Sequence, residues 1–331
     1  MTPGGLRNRH HGGMFDTAVA DWRDHLTLVR ELTIPADRSD FFRRVRRGEF
    51  VVIVRGVYVR TKIWCAMDRH AQYRTRVKAA AAVLGSEATL SHHSAAAMWR
   101  MPWVGTWPSQ VHIAESSAAG GRSNSTVFRH TTGVPPDCVE IDGLPVTPLG
   151  RTVVDLARTV SFGQAVTVAD AALRRTTHPL DGVPGTSLTR HDLLRELDDV
   201  PLRHGSVKAR TVIEFANGLA DRPGESMSRV SMHTAGLPRP QLQVEIVGAS
   251  GRVWIVDFWW PESNLIGEFD GKYKYTDSEF LNGRTPEQAV IDEKYREDDL
   301  RAARHGMSRW GWDVAISPRR LRDKLVAAGL R

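Results

Sequence analysis

Cysteine is nearly absent from this chain: among 331 residues only Cys65 and Cys138 occur, far apart and outside any metal-ligand spacing. A disulfide framework is excluded, and a reducing compartment fits. No apolar run reaches the roughly 20 residues that a membrane-spanning helix needs. The opening M-T-P-G-G-L-R-N-R-H-H-G-G lacks the apolar core of a signal peptide. The expectation is therefore a cytoplasmic protein without a membrane partner. Repeats of fixed period and low-complexity tracts are missing too. The 13 histidines are scattered, and the pair His92-His93, adjacent rather than spaced for one helix face, reads as capping or core rather than as ligands.

What is present is a globular composition, with 41% hydrophobic residues and enough length for two or three domains. Charge is unevenly spread. Residues 38–100 hold 13 Lys/Arg against four acids, a net of +9, while the whole chain is +7. The basic excess sits in the N-terminal third, which points to a polyanion partner.

The most informative stretch is V-W-I-V-D-F-W-W-P-E-S-N-L-I-G-E-F-D-G-K-Y, with Asp257 and Glu268 eleven residues apart. Val253–Trp259 and Leu265–Lys272 are β-branched or aromatic runs, and Pro261-Glu262-Ser263-Asn264 is a turn signal. A hairpin centred between Glu262 and Ser263 places Asp257 directly opposite Glu268, with Asp270 and Lys272 on the same face. Acids at strand ends often only face solvent. Here they interrupt a half-buried sheet, and facing like charges are tolerated cheaply only with a cation among them. Oxygen-only ligands suit Mg2+ or Mn2+.

These residues resemble the PD-(D/E)XK nucleases, specifically the group related to the very-short-patch-repair endonuclease, with Asp257-Phe258, a turn, then Glu268-Phe269-Asp270-Gly271. The resemblance runs from about Ser206 to Ile316. It includes a lead helix bearing Glu225 and Arg229, the G-L-P-R-P-Q-L-Q approach to a first strand, a charged helix within Pro286–Ala303 and a final strand at Met307–Ile316. It implies a restriction-endonuclease-like domain with a central mixed sheet. Asp257, Glu268 and Asp270 would be metal ligands, Lys272 would stabilise charge, and Glu225 would complete the metal shell through water. One departure matters: Asp270 stands where the acid-x-Lys pattern has lysine, and Lys272 follows two residues later. Read instead as Asp270-Gly271-Lys272, the acid-x-Lys element is intact. Either the lysine role has migrated, or catalysis does without it, or the domain only binds.

Near the front, S-D-F-F-R-R-V-R-R-G-E-F-V-V-I-V-R-G-V-Y-V-R predicts a Ser39-capped helix ended by Gly48, then strands Phe50–Val54 and Val57–Arg60. Phe41, Phe42 and Val45 form the buried stripe, leaving Arg43, Arg44, Arg46 and Arg47 outward. A basic helix followed by a hairpin is the layout of a winged helix-turn-helix, with Arg55 and Arg60 on the wing. A solvated basic helix on an ordinary α+β domain is the plainer reading. The string Arg46-Arg47-Gly48 to Arg55-Gly56-Val57-Tyr58 is similar to the N-terminal domain of AbiEi-type antitoxins. The likeness continues through L-S-H-H-S-A-A-A-M-W, read as a Ser91-capped helix, the Asp142-Gly143 hairpin of Ile141–Pro148, and helices Arg151–Arg158 and Val166–Arg174. It implies operator binding by the front domain and a cognate toxin as partner. Asp155 and Asp170 read as exposed helix residues.

The expected architecture is α+β and multidomain: a winged helix-turn-helix at 1–62, an α/β middle domain at 63–200 and a nuclease-like domain at 205–331. Five tryptophans, Trp254, Trp259, Trp260, Trp310 and Trp312, fall in the last. Most read as core, with Trp260 and Trp312 able to stack on bases if exposed. Two functions stay open: a Mg2+-dependent DNA endonuclease, or a non-catalytic repressor or antitoxin with a degenerate nuclease fold. A nucleotidyltransferase would need a Gly-Ser plus Asp-x-Asp arrangement, which is missing.

Overall fold

Alternating apolar runs and capped amphipathic segments, met in turn along the sequence, give an α+β fold. The computed structural model describes residues 22–85, 88–115, 123–131, 133–200, 204–271 and 285–331. The chain divides into two compact units, Met1–Met67 and Asp68–Arg331. Among the described residues, no helix is long and apolar enough to cross a membrane.

In the first unit, α1 (Pro35–Arg46) precedes a hairpin of β2 (Phe50–Val54) and β3 (Val57–Arg60). A short β1 (Thr27–Leu28) pairs with β3, and α2 (Thr61–Ala66) follows. The two hairpin strands have the expected bounds. The helix starts earlier than expected: Pro35, with its φ preset, takes the first helical position after Ile34, so Ser39 lies inside the helix and caps nothing. Gly48 adopts a left-handed φ of 78° just past the helix end, as expected. Phe41 packs edge-on against Phe50 and Tyr58, fixing α1 on the hairpin.

The second unit opens with α3 (Arg69–Leu84), β4 (Thr89–Leu90), α4 (His92–Met98), β5 (Val111–Ala114), β6 (Val127–His130), β7 (Val139–Ile141) and β8 (Leu144–Val146). The strands form a sheet in the order β6-β5-β4-β8-β7. Asp142 and Gly143 make the β7–β8 turn with φ of 54° and 71°. Ser91 sits at the start of α4, but its hydroxyl meets the His92 ring instead of capping the backbone. Helices α5 (Leu149–Thr159), α6 (Phe162–Arg174), α7 (Arg190–Asp199) and α8 (Ser206–Phe215) follow.

Two expectations about these helices are overturned. Asp155 and Asp170 are 2% and 1% exposed. Helix α5 packs against α4, α6, α7 and α8, which leaves it no solvent face. Asp155 therefore pairs with Arg151 one turn back. Asp170 accepts from Ser226 Oγ, Arg229 Nη1 and the Asn217 N–H at 2.6–2.7 Å. A buried carboxylate is tolerable only with such partners.

The last part of the unit is α9 (Pro223–Thr234), β9 (Gln241–Val247), β10 (Val253–Trp260), β11 (Leu265–Phe269), α10 (Pro286–Ala302), β12 (Gly306–Trp310), α11 (Trp312–Ala315) and α12 (Pro318–Ala327). The sheet order is β12-β11-β10-β9, with β11 and β12 parallel and the rest antiparallel. Met232 of α9 and Leu321 and Leu325 of α12 pack on one face with Phe258, Trp260, Phe269 and Trp310. Leu300 of α10 covers the other, with Ile246, Val256 and Ile266. The strand expected to run to Ile316 stops at Trp310, because Gly311 turns the chain into α11. Trp260 is 1% exposed, donates to Pro238 O and cannot stack on a base. Trp312 is half-buried edge-on against Phe269.

Candidate functional site

The hairpin has the register expected from its turn. Phe258 pairs with Gly267, Trp259 with Ile266 and Trp260 with Leu265. One step further, that register sets Asp257 opposite Glu268. Strict alternation would put Val256 and Phe258 on the same face, yet Val256 packs beneath α10 and Phe258 beneath α9. The partner strand does likewise, with Val244 on one side and Leu242 on the other. Both strands change faces at Gln243 and Asp257, and Gln243 takes a left-handed φ of 50°, a conformation a non-glycine residue rarely adopts.

Near this break, each covering helix brings a polar group to the sheet, Glu225 from α9 and Arg296 from α10. Asp257 Oδ2 accepts the Phe269 N–H at 2.9 Å, and Gln243 Nε2 lies 3.5 Å from Asp257 Oδ1 and 3.3 Å from Glu225 Oε2. Glu225, on α9, also accepts the Asp221 N–H at 2.8 Å. It is 4% exposed, and burial together with the neighbouring Asp257 carboxylate pushes its carboxyl up to about 8. Gly224 lets α9 come this close, since a Cβ there would overlap the Phe269 ring. From α10, Arg296 reaches Glu268: Nη2 lies 2.7 Å from Oε1 and Nη1 3.2 Å from Oε2. Arg296 Nη2 also donates to Ile255 O at 2.6 Å.

Glu225 and Asp257, named from the sequence, are thus brought together through Gln243, while Glu268 is held by Arg296. Asp270 is turned toward Arg309, whose Nη2 is 3.8 Å from its Oδ2. Arg309 faces Glu268 across β11 and β12 and also pairs with Glu293 and Glu297. Lys272 lies outside the described residues. Gln243, Arg296 and Arg309 were not singled out by the sequence. Among the described residues no group of three or more His, Cys, Asp or Glu is arranged to hold a metal ion. Glu225 and Asp257 offer carboxylate oxygens of the kind a hard cation takes, beside the Gln243 amide, and the Glu225 carboxyl is disfavoured as an anion partly by its like-charged neighbour.

In the first unit, Arg46, Arg47, Arg55 and Arg60 are exposed. Arg43 pairs with Asp40, and Arg44 pairs with Glu49 while lying over the Phe50 ring. Two of the four helix arginines expected to point outward are therefore held by acids of their own unit.

A second cluster was not expected. His92, His93, His112 and His130 meet in the second unit, with His92 stacked on His130 at 3.4 Å between centroids and His112 Nδ1 2.8 Å from His130 Nε2. Burial holds His92 well below its usual pKa and lowers His93 to about 4, His112 to about 3 and His130 to about 4. The rings are neutral, so the 3.9 Å approach of His92 to Asp155 is not an ion pair. The pair His92-His93 is core. His112 and His130 join it from β5 and β6, which no spacing in the sequence announces.

Two curated relatives are similar to this chain: uncharacterized protein MT2308 of Mycobacterium tuberculosis (strain CDC 1551 / Oshkosh) and uncharacterized protein Rv2248 of Mycobacterium tuberculosis (strain ATCC 25618 / H37Rv). Each is 33% identical over 130 residues, covering 39% of this chain and 44% of the relative. The matched stretch spans less than half the length of either relative. No family model matches the chain, and no solved structure matches it.

Proposed function

We propose that this is a DNA-binding protein whose C-terminal part is a divalent-metal-dependent endonuclease of the PD-(D/E)XK kind. The observation that carries the reading is the meeting of Glu225 and Asp257 on Gln243 where β9 and β10 change faces, with Glu268 held by Arg296 on the adjoining strand. The order α9-β9-β10-β11-α10-β12, with a parallel β11–β12 pair, supports it. Asp257 and Glu268 would hold Mg2+ or Mn2+, with Glu225 reaching it through water. When bound, the cation supplies Lewis acidity toward water and a phosphoryl oxygen. Gln243 fixes the carboxyl groups of Glu225 and Asp257 relative to each other. The exposed Arg46, Arg47, Arg55 and Arg60 would neutralise DNA phosphates, on a helix and hairpin laid out as in a winged helix-turn-helix.

A second reading has its own observation. The two-point hold of Arg296 on Glu268 already neutralises that carboxylate, as expected of a domain that only binds. The protein would then be a repressor or antitoxin of the AbiEi type, with a cognate toxin as partner. Incubation of supercoiled plasmid with purified protein and Mg2+ or Mn2+ decides between them. The nuclease reading expects nicking that Glu268→Ala and Asp257→Ala abolish. Specific binding to a site near its own gene, with no cleavage under any divalent cation, establishes the regulator instead.

A further inference from the structure

A cavity of about 230 Å3 is formed by residues of α8, α9 and the approach to β9, and neither Glu225 nor Asp257 lines it. Its apolar lining is Met232, Leu237 and Leu242, which belong to the core beneath. Its charged lining is three arginines and a single acid, Glu214. Of the arginines, Arg229 is committed, to Asp170 Oδ2 at 2.6 Å and Phe215 O at 2.7 Å. Arg190 is exposed and donates to Ala216 O at 2.6 Å, but meets no carboxylate among the described residues. Arg239 is exposed and makes no hydrogen bond or ion pair among them. Its backbone is nevertheless fixed. Pro238 and Pro240 set φ on either side of it, and a residue before proline is confined to extended backbone. The Leu237 N–H donates to Met232 O at 3.0 Å, and Pro238 O accepts from Trp260 Nε1 at 2.9 Å. The Arg239 guanidinium is therefore carried at the cavity on a rigid segment, without a partner of its own.

We propose that this cavity binds a small aromatic carboxylate, with the acid group taken by Arg190 and Arg239 and the ring lying on Met232, Leu237 and Leu242. An apolar lining with a few polar groups to fix orientation is the usual make-up of a small-molecule site. The volume falls below the roughly 300–1,000 Å3 of sites for drug-sized ligands, so the guest is about one ring in size. Two uncommitted guanidiniums against Glu214 leave one positive charge, which a monoanion balances. Guanidinium groups match a carboxylate with paired N–H donors. Phe215 and His233, whose rings lie 5.1 Å apart, also line the cavity and add aromatic contact for a flat guest. The site rests on neither the nuclease nor the regulator reading, since both place DNA on other residues.

The test uses the full chain as wild type, Arg239→Gln and Arg190→Gln, with benzoate as probe and benzamide, benzylamine and acetate as controls. Calorimetric titration and the ligand-induced shift in Tm report binding. Wild type is expected to bind benzoate and to melt higher with it, while benzamide and benzylamine leave Tm unchanged. Acetate, which lacks the ring, is expected to bind at least about tenfold more weakly than benzoate. Each variant should lose roughly tenfold in benzoate affinity, and Arg239→Gln should keep the ligand-free Tm of wild type. If benzoate does not bind, or binds equally well to both variants, the inference is overturned. Equal affinity for benzamide overturns the anion assignment, and equal affinity for acetate shows a surface ion contact without the cavity and overturns the ring assignment. If Arg239→Gln weakens duplex DNA binding while benzoate neither binds nor competes, Arg239 is a nucleic-acid contact and the inference fails. Should Arg190→Gln not fold, Arg239→Gln decides alone.

Discussion

Asp170 accepts three hydrogen bonds from groups 47 to 59 residues away in sequence, and so ties α6 to α9 and to the loop after α8. Arg229, its charged partner, spends its other arm on Phe215 O and lies over the Phe215 ring. Asp170→Ala would leave that guanidinium buried without its carboxylate and two more donors unmet. The expected loss is about 3–5 kcal/mol in chemical denaturation, and a loss under about 1 kcal/mol would show that the ion pair is incidental to the fold. Asp170 also marks the limit of reading single residues. Its sequence neighbours are those of any amphipathic helix, and nothing local says that α9 will bring an arginine to it. Asp257 and Glu268 were legible because one tight turn sets their register, so no distant element enters. Glu225 was legible only through the resemblance. Gln243 and Arg296 were not, since the first depends on a break in strand alternation and the second on which face of a highly charged helix docks on the sheet.

At the scale of elements, local chemistry carried most of the fold. The hairpins at Arg55-Gly56, Asp142-Gly143 and Pro261–Asn264 all form where turn residues interrupt apolar runs. Boundaries failed where two local signals competed. Pro35 overrode Ser39 as the start of α1, and Gly311 cut short the last strand. The arginines of α1 are likewise unequal. Reversing Arg43 or Arg44 would break their pairs with Asp40 and Glu49. Arg46 and Arg47 are exposed and make no ion pair among the described residues, so Arg46→Glu/Arg47→Glu should leave the fold intact. The double variant is expected to weaken duplex binding in a mobility-shift or anisotropy titration. It should also flatten the dependence of log K on log salt by about 0.9 for each phosphate that is no longer neutralised. Unchanged affinity and slope would remove α1 from the DNA interface.

For the whole molecule, two sets of buried groups pull stability in opposite directions with pH. The histidines His93, His112 and His130 fall to about 4, 3 and 4 on folding, chiefly because burial disfavours their charged form, and His92 falls further still. Unfolded histidine titrates near 6.5. Between these values the unfolded chain binds more protons than the folded one, so stability rises with pH there. Their contribution is fully present above about 6.5 and is lost as pH falls toward 4 and 3. Glu225 behaves in the opposite sense. Burial and Asp257 raise it to about 8, against an unfolded value near 4.3, so the folded form keeps its proton longer and stability declines as pH climbs from about 4.3 to 8. Burial also raises Asp155 and Asp170, which act in the same sense as Glu225, while the four histidines act together on the acid side. Thermal melts across pH 4.5–8.5 are expected to fall off sharply below about 6.5. In His130→Gln, which removes one ring of the stack, the difference between pH 7 and pH 5 should shrink. Glu225→Gln should instead flatten the alkaline side. Parallel pH profiles for His130→Gln and wild type would mean that the cluster already exchanges protons with solvent, and the acid limb would then have to come from the carboxylates that carry ion pairs at the surface.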